Sequence, residues 1–351
     1  MENALGKFTL RLRLPLLLAL AGLGLSACGK GTADEVPTLH VGSQRGGTKA
    51  VMLASGALEG ASYRIEWSEF AAAQPLLEAI GAGAVDVGVA GDAPFMFAYQ
   101  SGSPVKAVSA QYAVEKPRGA LALLVPPGSS AKTLRDLKGR KVATTRGSIG
   151  HYLILRALQK EGLPADWLTI TFLTPGDARA AFVSGAIDGW ATWAPYVKPA
   201  IDAGARSVVD GKDIVRGYGF DVANEKAIGA KRAILADFLQ REAKALDWAK
   251  RNKDAFGRVL AQETGLPLDV ATDYADKNGR TVVPIDDSLI ADQQKVIDGF
   301  RAAGAIKGDR PSTEVSLRPT PGLHRIAPRH DVDLISAGQG RPTTNIIRGT
   351  T

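Results

Sequence analysis

The sequence predicts an α/β protein of two similarly built lobes, each a mainly parallel sheet with helices on both faces, and a hinged cleft between them. Three observations carry this. Short β-type runs alternate with helical stretches from Pro37 onward, a helix followed by Gly-Ala-x-Asp occurs at Gly83–Asp86 and again at Gly185–Asp188, and after Val222 the pattern changes to long amphipathic helices. Alternating strand and helix favours parallel pairing, because each helical crossover returns the chain to the same end of the sheet.

Taken in order, the β-type runs are 38–41, 64–67, 85–89, 121–125, 141–144 and 169–172. Most contain β-branched or aromatic residues, 121–125 is a continuous apolar run, and Gly or Pro stands close to most of their ends. Between them helical periodicity predicts helices over 75–83, 94–102, 134–138, 151–161 and 178–185. The long helices follow at 230–252, 253–264, 268–277 and 289–303, and are expected to pack back on the first lobe. The chain would then cross between lobes near Tyr112–Gly119 and again near Val215–Gly219. Lobe I is assigned to residues 37–116 and 219–310, and lobe II to 117–218.

Both termini read differently from the middle. Residues 1–27 combine Lys7, Arg11 and Arg13 with an apolar run from Leu14 to Leu25, a signal peptide too short to span a bilayer. The run ends in Leu25-Ser26-Ala27-Cys28, which resembles a bacterial lipobox. Cys28 is the chain's only cysteine, so no intramolecular disulfide exists and lipid attachment is its expected role. Residues 28–36 form a tether to that anchor. From Pro311 the composition turns to Arg, Pro, Thr and Gly, and residues 311–351 are expected to be a disordered tail.

Composition excludes several function classes. With 351 residues and 45% hydrophobic content the chain is globular rather than disordered. Of the formal charge of +7, the first 27 residues and residues 311–351 each hold +2, which leaves about +3 for the globular part. That is too little for a nucleic-acid footprint, and it suits capture of small anions. No His-Glu-x-x-His, metal-ligand spacing, nucleophile elbow or Gly-Lys-Ser/Thr phosphate loop is present, so no cofactor, metal or catalytic set is expected.

The most informative stretch is Lys141–Gly150, a β run entering a small-residue turn that opens a helix. Helix N-termini offer unpaired N–H groups and the positive end of the helix dipole. Gly147 and Ser148 stand at that point with Arg146 beside them, and similar turns recur at Ser43–Thr48 and Val89–Ala93. Ser148 also reads as an ordinary helix cap, and Asp92 as the cap of the helix at Pro94. Of the indoles, Trp193 is assigned to the pocket and Trp190 to the core. Asp86 and Asp188 are expected to be structural, and His151 to lie exposed in a first turn.

Set in order, these motifs resemble the aliphatic-sulfonate-binding proteins of ABC importers. The resemblance runs from Pro37 to Asp309 through Gly42-Ser43-Gln44-Arg45-Gly46, Leu76–Ile80 with Gly83–Asp86, Gly91-Asp92-Ala93-Pro94, Leu134–Ala143, Arg146-Gly147-Ser148, Leu173–Phe182 and Trp190–Tyr196. Two features depart from the family. Ala72-Ala73 stands where a Gly-Pro pair is frequent, and the tail after Pro311 has no counterpart. The resemblance implies a type II periplasmic-binding-protein fold that closes on its ligand and presents it to a membrane permease. It implies a protein outside the cytoplasm, expected to be a monomer; the lipid anchor at Cys28 is the expectation from the lipobox-like segment. Ligand contacts carry over to Gln44, Arg45, Gly46, Gly91, Asp92, Arg146, Gly147, Ser148, Trp193 and Pro195.

A sulfonate has three acceptor oxygens and no proton to donate, so a matching site should present donors only. Backbone N–H groups at Gly46, Gly91 and Ser148, with Arg45 or Arg146, would supply them, and Trp193 would cover the tail. Because neither a sulfonate nor arginine titrates there, binding should be flat between about pH 5.5 and 8.5. Nitrate, taurine or a pyrimidine precursor are alternative ligands within the fold. An extracytoplasmic enzyme or a sensor domain is the alternative of another class.

Overall fold

The computed structural model describes residues 36–45, 47–113 and 118–316. The predicted signal peptide, Cys28, nearly all of the tether, Gly46 and residues 317–351 lie outside the described residues. The chain divides into units Met1–Val36 and Pro37–Thr351, and the elements described here belong to the second.

That unit begins with β1 (Thr38–Gln44), α1 (Gly47–Ala54), β2 (Arg64–Phe70), α2 (Ala73–Ala82), β3 (Val87–Gly91), α3 (Asp92–Gln100) and β4 (Val105–Ala113). It continues through β5 (Leu121–Val125), β6 (Lys141–Thr144), α4 (Ile149–Lys160), β7 (Thr169–Phe172), α5 (Pro175–Val183), β8 (Gly189–Trp193), α6 (Val197–Asp202) and β9 (Arg206–Asp210). The last part contains β10 (Tyr218–Asn224), α7 (Glu225–Ala230), α8 (Arg232–Arg251), α9 (Lys253–Thr264), α10 (Leu268–Lys277), β11 (Arg280–Val283) and α11 (Asp287–Ala302).

Two sheets result, in the orders β11-β4-β10-β3-β1-β2 and β7-β6-β8-β5-β9. The expected parallel pairing holds in only one half of each. Strands β2-β1-β3 and β7-β6-β8 are parallel, whereas β10 runs antiparallel to β3 and β4, β11 to β4, and β5 to both β8 and β9. The sheets are therefore mixed. The reversed central strands are those next to the crossings: β5 enters the second sheet and β10 returns to the first, each from the other lobe. Alternation along the sequence records element type and not the direction of entry.

Local sequence explains how the helices seat on the sheets. Strand β5 is buried along its whole length, as its unbroken Leu-Ala-Leu-Leu-Val run requires. At Gly88 an added Cβ would lie 2.9 Å from both the Gly42 carbonyl oxygen and Leu76 Cδ1, so α2 can settle on the sheet only over glycine. Residues 134–137 form one 3-10 turn instead of a helix, with Thr133 and Asp136 making a capping box and Leu134 and Leu137 buried. Gly139, at φ 70°, stops its continuation.

The core of the first lobe reaches into the second. Phe300 of α11 packs on Phe97 of α3 and on both His151 and Tyr152 of α4, with ring centroids 5.5, 5.5 and 5.3 Å apart. The lobes thus share a packed helical contact in addition to the covalent crossings.

The tail is ordered at its start, a correction to the boundary drawn at Pro311. Val315 is 0% exposed, its carbonyl accepts from the Ala107 N–H at 2.9 Å, and Ser316 bridges Ala107 in parallel register. Tyr99 Oη donates to the Pro311 carbonyl. A single apolar residue among Pro, Ser, Thr and Glu produces no period, so its docking leaves no pattern in the sequence.

Candidate ligand-binding site

Four strand ends face one cavity of about 280 Å³. The end of β1 brings Gln44 and Arg45, the β3–α3 junction brings Gly91 and Asp92, the β6–α4 turn brings Ser148 and Ile149, and the end of β8 brings Trp193 and Pro195. The carboxyl ends of parallel strands are where α/β sheets bind ligands, because loops and helix N-termini converge there. Arg146 and Gly147 are not among the lining residues, and Gly46 lies outside the described residues.

Arg45 is a left-handed residue, with φ 47°, a conformation that costs a non-glycine residue about 1–2 kcal/mol. Its N–H donates to the Phe70 carbonyl, and its guanidinium lies 5.6 Å from the Tyr196 ring centroid. Its Nε is buried without a hydrogen-bond partner. Tyr196 of the second lobe also donates to the Ala71 carbonyl of the first at 3.0 Å, so the cleft is bridged beside the arginine. Gln44 Nε2 donates to the Val89 carbonyl, which leaves its Oε1, an acceptor, free of that bond.

The turn before α4 departs from the expected anion seat. The Gly147 N–H donates to His151 Nδ1 at 3.2 Å and the Ser148 N–H to the Thr145 carbonyl at 3.1 Å. Ser148 Oγ accepts from the His151 N–H, the cap anticipated from sequence. The N–H of Ile149, first in the helix, has no acceptor within it and belongs to a lining residue. His151 is buried at 3% exposure, contrary to its expected exposed position. Phe172 and Phe300 enclose it, with Phe172 edge-on at 4.9 Å. Burial, assisted by the Arg146 cation, lowers its pKa to about 4, so the ring is neutral at pH 7 and Nδ1 can accept.

Arg146 itself is exposed and lies 3.8 Å above the Phe172 ring. Gly147, at φ 69°, approaches Phe97 so closely that a Cβ would sit 2.6 Å from that ring. Its role here is to let the two lobes approach.

Trp193 lines the cavity and stands edge-on to Tyr196 at 6.1 Å, while Trp190 is buried against Phe182. Gly91 caps α3, and Asp92 is the first helical residue, its Oδ1 accepting from the Ala93 N–H at 2.7 Å. Burial raises the Asp92 pKa to about 6, against the pull of that hydrogen bond and of Arg280. Asp86 is structural: it accepts from the His40 N–H and pairs with Lys231.

The far wall was not anticipated from sequence. It contains Arg280, Glu242, Gln111 and Tyr274. Arg280 Nη1 donates to the Gly217 carbonyl at 3.3 Å, and Gln111 Nε2 donates to Asp221 Oδ2 at 3.2 Å. Burial, then the neighbouring Asp221 carboxylate, holds the Glu242 carboxyl well above the usual carboxylate range. A signal existed for Glu242. It occupies the apolar stripe Leu235, Phe238, Leu239, Ala245, Ala249 of α8, where a carboxylate is out of place.

Chemically, the cavity joins two guanidinium groups and a helix N-terminus to apolar surface from Trp193, Ala73 and Pro195. Among the described residues no cluster of His, Cys, Asp or Glu could hold a metal ion.

A family model described as NMT1/THI5 like matches residues 71–255. The chain is 37% identical over 294 residues to a protein of Escherichia coli (strain K12) named as an aliphatic-sulfonates-binding protein, spanning 81% of this chain and 90% of that one. The alkanesulfonate-binding protein of Xanthomonas axonopodis pv. citri, solved bound to MOPS, matches with a TM-score of 0.75 at 30% identity over 82% of this chain and 100% of the other. A desulfurization enzyme matches with a TM-score of 0.60 at 16% identity over 83% and 98%, a likeness of fold alone. The two mixed sheets and bridged cleft of this chain are thus the periplasmic-binding-protein fold, and the chain belongs to the NMT1/THI5-like family, in the group of aliphatic-sulfonate-binding proteins.

Proposed function

We propose that this protein is the extracytoplasmic binding component of an ABC importer, taking up an organic sulfonate in the cleft and delivering it to a membrane permease without turning it over. The observation that carries this reading is Arg45, whose buried Nε has no partner, lining one cavity together with Trp193. A charge-assisted donor and an indole in one cavity suit a ligand with an anionic head and an alkyl or aryl tail. The sulfonate oxygens would meet Arg45, the Ile149 N–H and the turn at Gly91, with Gln44, Asp92, Ser148 and Pro195 shaping the pocket. Arg280 would supply a second cation. Lobe I (37–116 and 219–316) and lobe II (117–218) would pivot about the crossings, and Cys28 would carry the lipid that holds the protein at the outer side of the membrane. An exported protein whose unmodified N-terminus lies away from residue 28 would remove that anchor.

A thermal-shift panel of alkyl sulfonates, aryl sulfonates, sulfate esters, taurine and nitrate tests the ligand class. Stabilisation grows as RT ln(1 + [L]/Kd), so a ligand at about 100 times its Kd should add about 2.7 kcal/mol. The largest shift is expected from a sulfonate. A larger shift with nitrate, or consumption of the ligand during incubation, would reject the reading.

A further inference from the structure

Beside the cleft, and sharing Asp92, Lys212, Val215 and Tyr218 with it, lies a second cavity of about 440 Å³ whose walls come from both lobes. Tyr152 and Arg156 of α4 face Asp292, Gln293, Lys295 and Val296 of α11, and the returning crossing from Lys212 to Tyr218 closes one side. Four cations line it, Arg156, Lys212, Arg216 and Lys295, against the carboxylates of Asp92 and Asp292. Asp292 is already engaged, with Lys295 Nζ at 2.8 Å and Arg216 Nε at 3.6 Å. The surplus is positive.

Gln293 gives the cavity its chemistry. It is 0% exposed, and both Nε2 and Oε1 are buried without a hydrogen-bond partner. An apolar residue would serve better at a core position, since an unsatisfied buried amide costs about 1–3 kcal/mol per group. The amide carries two N–H donors on Nε2 and one acceptor oxygen, Oε1, for whatever occupies the cavity. A sulfate or sulfonate, which carries no proton, can satisfy Nε2 but leaves Oε1 without a donor. A phosphate group with one protonated oxygen satisfies both, and the four cations balance its charge.

We propose that this cavity is a second binding site, selective for an oxyanion that keeps one P–O–H at neutral pH, inorganic phosphate, over sulfate and over a phosphate monoester, whose second proton leaves at about pH 6. One oxygen accepts from Gln293 Nε2, the P–O–H donates to Gln293 Oε1, and Arg156 and Lys212 approach from the second lobe and the crossing. Because its walls belong to α4, α11 and the crossing, an occupant would join the lobes beside the cleft.

Calorimetric titration of the exported, mature protein with inorganic phosphate, glycerol phosphate and sulfate tests this. Phosphate should bind with one site per chain and at least about tenfold more tightly than sulfate. Gln293→Leu and Arg156→Met should each weaken phosphate by about tenfold or more, while Arg45→Ala, on the cleft side, leaves it unchanged. If Gln293→Leu does not fold, Arg156→Met and Lys212→Met carry the test. Glycerol phosphate should bind more weakly than phosphate, and binding as tight as that of the free ion would overturn the contact between the P–O–H and Gln293. No heat with phosphate at about 10 mM, equal affinity for sulfate, or phosphate binding untouched by Arg156→Met would overturn the proposal.

Discussion

Two residues separate the cleft's roles most cleanly. Trp193 is half-buried at the cavity and Trp190 is enclosed by Phe182, so only the first indole should change environment when a ligand enters. Trp193→Ala is expected to remove most of the ligand-dependent change in tryptophan emission and to weaken binding by about 1–3 kcal/mol, the scale of a buried aromatic contact. Loss of the signal in Trp190→Ala, with Trp193→Ala unaffected, would reverse the assignment. Glu242 is the second case. Its raised folded pKa means that the folded state holds a proton that the unfolded chain releases, so stability falls as pH rises above the unfolded carboxyl range. Glutamine preserves the shape and an N–H donor toward Asp221 without that penalty. Glu242→Gln should therefore gain stability over the wild type between about pH 5 and 8, with the gain growing with pH. Denaturant midpoints that differ by the same amount at every pH would show that the carboxyl is charged in the folded protein.

Among the elements, the start of the tail and the first turn of α4 show what sequence patterns record and what they omit. Val315 contributes its buried side chain and an acceptor for Ala107 to the first lobe. A chain ending at Ser316 is expected to melt like the full protein, whereas one ending at Arg310 should lose about 1.5–3 kcal/mol, a fall of several degrees. Equal melting temperatures would mean that the docked segment adds nothing. The strands that head the site, the Ser148 cap and the split between Trp190 and Trp193 were legible because hydrophobic period and turn chemistry are local. Local rules could not show that Gly147 and Ser148 direct their N–H groups to His151 and Thr145, since His151 is fixed by Phe172 and Phe300, the latter far away in the chain. For the same reason Arg280 escaped notice: it reaches the cavity only through the order of β11, β4 and β10.

For the molecule as a whole, the packing of Phe300 on α4 limits how the lobes can part. Closure is expected to pivot about that contact, since a packed aromatic cluster resists being pulled apart. Burial of Asp92 predicts a pH response of the cleft in place of the flat profile expected from sequence. Asp92 lines the cavity with a pKa raised to about 6, so below that value it loses a negative charge that opposes an anionic ligand. Affinity for a sulfonate should be level from about pH 7 to 8.5 and strengthen several-fold toward pH 5.5, as linkage requires when binding takes up a proton. Asp92→Asn should abolish that rise. An affinity that weakens on acidification would place the ligand away from Asp92. The measurement that bears most directly on the central claim is a calorimetric titration of the mature protein and of Arg45→Ala with a simple alkanesulfonate at pH 7.5. Capture in the cleft predicts one site per chain and a loss of about 1.5–3 kcal/mol, or roughly 10- to 150-fold, on removing the guanidinium. The same affinity in both proteins, or no binding to either, would contradict it.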